Sequence, residues 1–460
     1  MTSRVMSPRI IRWDRADFPG TLGHGTDGPT IKAHLDLTAL HGEQECIRQL
    51  AALSRPDGGM TGILRTQNEH QVRAIDLATG ASLWVSPKII PATAENPQVS
   101  QLGVGDIDGD GMDEAIITSY AGDVICIATH DGSIKWHTRL PWHINNPRLD
   151  IKRALPGDGA QIALTVGNDF DWCFPSQRRR INFIRHPRLV LIDGTGEVVM
   201  DVPDYSAHNG NGHNVWMFDI DGDGLCEIFC SGHQSLLCYR GTGEKLFTLP
   251  CTGEAPTRND THPDDLKVFN WRPELPGLET IYLDGTDGII IADSAGEITV
   301  RKTFPPELAS HLQNITALNT SDGPRLVAEN IRAHDSKLLC LDKDLDIVWA
   351  AEMPGDMAGV RLLDWDGDGE LEIATGSHGK NHCNPHGVET AGIQVMKLDG
   401  TPCYWHEWDQ ETLAGPLTSF PSPNGRAAAV VVTVATPNGP QGRFSLAEGH
   451  QSQLFVMSSV

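Results

Sequence analysis

Three nine-residue segments carry carboxylates at the same four positions: Asp106-Ile-Asp-Gly-Asp-Gly-Met-Asp-Glu114, Asp219-Ile-Asp-Gly-Asp-Gly-Leu-Cys-Glu227 and Asp364-Trp-Asp-Gly-Asp-Gly-Glu-Leu-Glu372. Positions one, three, five and nine are acidic, and glycines at four and six let the chain turn back on itself. Calcium takes six or more oxygens at flexible distances, and such a loop supplies them from side chains and the carbonyl at position seven. The expected ligands are Asp106, Asp108, Asp110 and Glu114; Asp219, Asp221, Asp223 and Glu227; Asp364, Asp366, Asp368 and Glu372. An EF-hand would need a Glu at position twelve and flanking helices. Here the flanks, Gln101-Leu-Gly-Val-Gly105 and Ala115-Ile-Ile-Thr118, read as strands, so the loops are hairpin turns. The alternative is a set of solvated Asp-Gly turns that hold no metal.

Two other groups of residues could do chemistry. The segment Gln177-Arg-Arg-Arg-Ile-Asn-Phe-Ile-Arg-His-Pro-Arg188 is the densest positive charge in the chain and includes Arg178, Arg179 and Arg180. Guanidinium forks match carboxylates in bidentate fashion, so an anionic ligand is expected, with Trp172 and Phe174 as flat surfaces for sugar rings. The alternative is a solvated loop pairing with Asp169 and Asp171. The segment His378-Gly-Lys-Asn-His-Cys-Asn-Pro-His386 offers three imidazoles, His378, His382 and His386, for a second divalent metal such as zinc or manganese. Its spacing is not a standard zinc pattern.

The elements that must position these groups form a series. Turns between apolar, strand-like runs recur at 55–59, 108–111, 156–159, 221–224, 273–277, 321–324, 366–369 and 422–425, spaced by roughly 45 to 65 residues. A second hairpin turn follows most of them, at 76–80, 131–133, 193–196, 240–243, 293–296, 342–345 and 399–401. Several of these lead to an aromatic residue: Trp84, Trp136, Phe247 and Trp349. Two hairpins per repeat give four antiparallel strands, the mark of an all-β β-propeller. The turns favour eight blades, with seven as the alternative. The expectation is a single domain, 1–460, whose ring is closed by pairing the N-terminal strand at about 9–13 with the C-terminal blade.

A propeller converts register into faces. With strands A to D running outward from the axis, A–B and C–D turns lie on one face, and B–C loops and D–A crossovers on the other. His70, His143, His208, His213, His233, His262, His311, His334, His378, His382, His386 and His450 fall on the second face, and only His130 sits clearly on that of the acidic loops. Imidazoles clustered on one face point to acid–base or metal chemistry, which leaves the calcium loops as structural pins. In blade four, His213 precedes Asp219 by six residues and His233 follows Glu227 by six, so the two should face each other across one hairpin. Tyr120 and His378 hold the position of His233 in the other acidic blades. The Gly- and Asn-rich stretch before Asn214 suits close approach of backbone to a ligand.

The run Gly212-His-Asn-Val-Trp-Met-Phe-Asp-Ile-Asp-Gly-Asp-Gly-Leu-Cys-Glu-Ile228, with His262-Pro-Asp-Asp-Leu-Lys-Val268 and Arg272-Pro-Glu-Leu-Pro-Gly-Leu-Glu279, resembles the calcium-containing propeller polysaccharide lyases. It is similar to the rhamnogalacturonan, ulvan and L-rhamnose-α-1,4-D-glucuronate lyases over about residues 95 to 380. The resemblance implies β-elimination at a uronic acid by a His or Tyr base, with a positive group on the carboxylate. The chemistry itself asks for three parts: a cation on the carboxylate, a base for the α-proton and an acid for the leaving oxygen. His213 and His233 are the candidate base and acid, in either order. Arg258 or Arg332 would hold the carboxylate, with His262 and His334 beside them and Tyr120 and Tyr205 in reserve. His143, Asn214, Arg178, Arg179, Arg180, Trp172 and His378 would bind substrate. The competing readings are a non-catalytic calcium propeller that binds glycan or protein and, more weakly, a hydrolase or epimerase.

Composition bounds the partners. With 36 Lys and Arg against 60 Asp and Glu, the net charge of −24 opposes nucleic acid as a partner. No apolar run is long enough to span a membrane. Met1-Thr-Ser-Arg-Val-Met-Ser-Pro-Arg9 lacks the apolar core of a secretion signal, and ten scattered cysteines without metal-type spacing read as free thiols. A cytoplasmic protein acting on an anionic oligo- or polysaccharide is expected, its oligomeric state open.

Overall fold

In this computed structural model the described residues are 9–12, 23–24, 31–36, 47–66, 71–89, 99–119, 121–144, 149–167, 169–170, 184–205, 214–232, 234–251, 263–285, 287–309, 312–330, 336–353, 357–377, 391–408, 413–421, 428–436, 451–457 and 459. They form a β-propeller of four-stranded antiparallel blades. Middle strands such as Glu114–Ser119 and Asp123–Ala128 are apolar runs buried along their whole length, because a neighbouring blade covers each face. Outer strands such as Ile134–Arg139 alternate and are half exposed. Among the described residues no helix is long and apolar enough to cross a membrane.

Seven blades follow one another along the chain, at 47–85, 99–139, 143–203, 215–250, 266–303, 312–352 and 357–408. This contiguous count matches the alternative of seven rather than the favoured eight. The remaining strands make a sheet of different origin: Leu413–Pro421, Ala428–Thr436 and Gln451–Met457 are joined by Ile31–Asp36 from the other end of the chain. Its inner strand packs between the inner strands of blades seven and one. Pairing of residues 9–13 with the C-terminal blade is not what forms. Arg9–Arg12 runs parallel along Ile347–Glu352 of blade six, and Gly23–His24 runs parallel along Pro402–Trp408 of blade seven. Ile11 decides the first placement, since its side chain is buried in the cluster of Leu318, Trp349 and Met396 between those blades. Both short strands cover sheet edges that would otherwise be open.

Aromatic residues of the outer strands make the seams. The indole N–H groups of Trp84, Trp136 and Trp349 donate to the carbonyls of Thr129, Gly194 and Leu398 in the C–D turn of the next blade, each at 2.8 Å. The rings lie against a glycine of that turn: a Cβ on Gly132 would stand 2.5 Å from Trp84, and one on Gly296 2.6 Å from Phe247. Both glycines also have positive φ, 78° and 84°, so a side chain is excluded twice.

Polar stitches hold the inner wall. Asp150 Oδ2 accepts the Met217 N–H at 2.8 Å, joining blades three and four, while Lys152 donates to the Met217 carbonyl. Asp265 Oδ2 accepts the Ile315 N–H at 3.0 Å, joining blades five and six, and Lys267 pairs with Asp265 at 2.7 Å. Each stitch is a charged acceptor on a backbone donor, and breaking one strands the donor in a buried site. Asp265→Ala is expected to lower stability by about 2–4 kcal/mol in urea denaturation. A loss under about 0.5 kcal/mol would show that the seam does not depend on it.

Candidate functional site

The acidic loops join the first and second strands of blades two, four and seven, as hairpin turns. Their internal bonding repeats. The position-one carboxylate accepts the N–H groups of both glycines: Asp106 from Gly109 and Gly111 at 2.8 and 2.9 Å, Asp219 from Gly222 and Gly224 at 2.7 and 2.9 Å, Asp364 from Gly367 and Gly369 at 2.8 and 3.1 Å. The position-nine Glu opens the second strand, is buried, and accepts the N–H of position two: Glu114 from Ile107 at 3.2 Å, Glu227 from Ile220 at 3.1 Å, Glu372 from Trp365 at 2.7 Å. Positions one, three and nine each offer an oxygen within 4.8 Å of the other two. The fourth expected ligands, Asp110, Asp223 and Asp368, lie outside that tight group and accept the N–H of position seven, each at 2.8 Å.

The oxygen-only donor set fits a hard cation such as calcium. Glu372 supplies a specific test of that fit: it is 1% exposed, and its Oε1 has no hydrogen-bond partner. Burial pushes the Glu372 carboxyl up to about 7, with Asp366 and Asp368 adding to the effect. Burial raises Glu114 and Glu227 as well. A cation among these oxygens would relieve that cost.

The same frame occurs where the sequence shows no acidic loop. In blade three, Gln161 opens the second strand, and its Oε1 accepts the N–H groups of Ala154 and Leu155 at 2.8 and 2.9 Å. In blade five, Glu279 Oε2 accepts the Arg272 N–H at 2.7 Å, and Oε1 takes the Arg272 guanidinium Nε at 2.5 Å. The Arg-Pro-Glu-Leu-Pro-Gly-Leu-Glu run is thus a turn that carries its own cation.

His213, His233, His262, Arg258, Arg332, His334, Tyr120, Arg178, Arg179, Arg180, Trp172, His378, His382 and His386 lie outside the described residues. His143 pairs through its backbone with Gly167 at the end of the strand that precedes the arginine-rich insertion. Asn214 is described and buried. Its N–H donates to Ser231 Oγ at 3.0 Å, and its carbonyl accepts the Ser231 N–H at 3.0 Å, which fixes the hairpin register at this end of the blade. Its side-chain amide donates to the carbonyls of Pro263 and Asp264 at 3.3 and 3.2 Å, across to the next blade. Tyr205 is no base: the ring is buried, the hydroxyl points to the Ser231 carbonyl at 3.4 Å, and burial holds the phenol well above its ordinary range. Seven cysteines are described and all are free, with Cys126 pushed up to about 12 by burial.

Glu329 is a further buried carboxylate, one that no motif in the sequence marks. It sits at the end of the second strand of blade six, 1% exposed, with Oε2 held by the Asn314 amide and Oε1 without a partner. The one signal was a carboxylate inside Arg325-Leu-Val-Ala-Glu-Asn330, an otherwise apolar middle strand.

No family model and no curated protein matches the chain. Solved structures do. Sqt1 of Saccharomyces cerevisiae superposes with a TM-score of 0.59 at 10% identity, over 93% of this chain and 98% of that one. Quinohemoprotein alcohol dehydrogenase from Comamonas testosteroni gives 0.56 at 12%, over 93% and 76%. The C-terminal WD40 domain of Sif2 gives 0.54 at 12%, over 94% and 99%. At such identities the likeness extends to the fold alone.

Burial lifts the Glu329 carboxyl to about 7, against the pull of Asn314 on its own blade and Arg361 on the next, with Asp265 of blade five adding to the rise. The folded state therefore favours the protonated form. That contribution is complete below the unfolded carboxylate pKa of about 4.5 and is lost as pH rises through about 7, up to about 3 kcal/mol. Between pH 5 and 8 the melting temperature of the chelator-treated protein should fall. Glu329→Gln should remove most of the part that this carboxyl causes, and an unchanged pH slope in the variant would refute it.

Proposed function

We propose that this propeller is a lyase that cleaves a glycosidic bond next to a uronic acid by β-elimination, its calcium loops serving as pins on the opposite face. The observation that carries the reading is the Asn214 amide on the carbonyls of Pro263 and Asp264. Asn214 follows His213 directly and Pro263 follows His262, so the bond ties together two chain segments on which the chemistry depends. Arg258 or Arg332 neutralises the carboxylate and makes the α-proton acidic. One imidazole of His213 and His233 takes that proton, the electron pair forms the C4–C5 double bond, and the other imidazole protonates the leaving oxygen. The arginines of the blade-three insertion and Trp172 bind the remaining sugars. Calcium, when bound, supplies charge neutralisation for the acidic turns and takes no part in the proton transfers.

The finer architecture belongs to the same proposal: the sheet of chain ends serves as an eighth, closing blade in a single domain of cytoplasmic location. A second reading, a non-catalytic propeller that binds glycan or protein, has its own support. Asp150 and Asp265, titratable groups of the inner wall, are tied into stitches between blades.

Incubation with rhamnose-uronate oligosaccharides should produce the ultraviolet absorbance of a double bond conjugated to a carboxylate. His213→Ala and His233→Ala should each abolish it, and Asn214→Ala should lower kcat by about 10- to 100-fold. Cleavage without new absorbance rejects elimination, and full rates in both histidine variants reject the assignment. Glycan binding without turnover selects the second reading.

A further inference from the structure

The three acidic loops are alike in sequence, yet a basic side chain from the outer part of the same blade meets each one differently. Lys135 reaches furthest in, with Nζ 2.5 Å from Asp108, 2.9 Å from Glu114 and 3.8 Å from Asp110. Arg240 is looser, at 3.3 Å from Asp221, 3.5 Å from Glu227 and 3.8 Å from Asp223. Lys397 stops at the rim, 3.3 Å from Asp368 and 3.5 Å from Asp366, and forms no ion pair with Glu372. The buried Glu372 Oε1 is accordingly the one position-nine oxygen of the three loops left without a hydrogen bond or an ion pair. Blade five is the internal control for a turn satisfied by protein alone, since Arg272 occupies the cation role on Glu279.

We propose that Lys135 and Arg240 are built-in counter-cations that compete with a divalent ion for the first two loops, so that the chain's principal calcium site is the third, Asp364–Glu372. The inference rests on the calcium reading above and adds an order of occupancy: third loop, then second, then first. A lysine ammonium seated on two carboxylates must be displaced before calcium can take those oxygens, whereas at Glu372 calcium meets an oxygen that nothing else serves. The three loops therefore differ in function although their consensus is one.

Trp365 allows a site-specific test, because it stands between Asp364 and Asp366 and can sensitise terbium bound there, while positions 107 and 220 are isoleucines. The chelator-treated full-length chain would be titrated with terbium by luminescence and with calcium by calorimetry. The expected result is one tight calcium step, lost in Glu372→Gln, whose terbium signal disappears in Trp365→Phe. Lys135→Met should tighten a weak step by at least about tenfold. It should also make the protein more dependent on calcium for its melting temperature, a readout that survives if the variant is destabilised in chelator. Lys302→Met, which removes an exposed lysine paired with Asp346, should change neither. No calcium step in any protein overturns the calcium reading itself. Three equal steps that ignore Lys135→Met, or a tight step that survives Glu372→Gln, overturn the ordering and leave calcium binding standing.

Discussion

A buried side-chain oxygen at the start of the second strand organises five of the blades. Glu114, Gln161, Glu227, Glu279 and Glu372 each accept the N–H of the residue seven positions earlier, closing the inner hairpin turn. The bond satisfies a backbone donor that the turn would otherwise bury unpaired, and it fixes where the second strand begins. It also takes a carboxylate out of water in four of the five, at a cost that needs a positive partner. The chain meets that need in graded ways: an amide that carries no charge in blade three, an arginine of the same turn in blade five, a lysine or arginine of the outer hairpin in blades two and four. Only in blade seven does the partner stop short. Cation chemistry on this face thus follows from how a turn is closed.

The seams between blades explain why a change on one face can matter to the other. Trp84, Trp136, Phe247 and Trp349 each rest on the C–D turn of the next blade, on the acidic-loop face. The polar stitches of Asn214, Asp150 and Asp265 lie on the inner strands, and those of Asn214 and Asp265 sit where the chain enters from the opposite face. A blade is therefore held at its outer end below and at its inner end above. An A–B turn that loses its closing bond loosens the inner strand whose far end carries the stitch.

Much of this was legible in the sequence because turn chemistry is local. Asp-Gly and Gly-x-Gly turns announce themselves through backbone conformations that few other residues adopt, and the aromatic after the second turn of a blade proved to be the seam residue. What was not legible depended on contacts distant in sequence. Arg9–Arg12 and Ile31–Asp36 are equally good strands, and parallel edge pairing uses backbone groups that carry no sequence mark, so the sequence alone does not say that Ile31–Asp36 is the one that joins the C-terminal sheet. Gln161 and Arg272 fill the role of an acidic loop without resembling one, since only the acceptor oxygen is shared. Glu329 carries no mark of its burial, because a lone Glu in a strand reads as solvent-facing until its neighbours are known.

Blade seven is also where the ring receives both ends of the chain. Gly23–His24 lies along its outer strand, and the hydroxyl of Ser459 donates to the carbonyl of Trp365, position two of the third acidic loop. Met457 packs with Trp365, Tyr404 and Trp408 in the core shared by blade seven and the chain-end sheet. The Trp365 backbone is therefore pinned from two sides, its N–H by Glu372 and its C=O by Ser459. Where Glu372 Oε1 lacks a partner, the first of these bonds belongs to a carboxyl that burial drives toward protonation, and a neutral carboxyl accepts more weakly than a carboxylate. A divalent cation in that loop would keep Glu372 ionised, strengthen its hold on Trp365 and so steady the point at which the C-terminal strand docks. The loop least served by the protein's own cations is thus also the one whose turn carries a contact with the C-terminal strand.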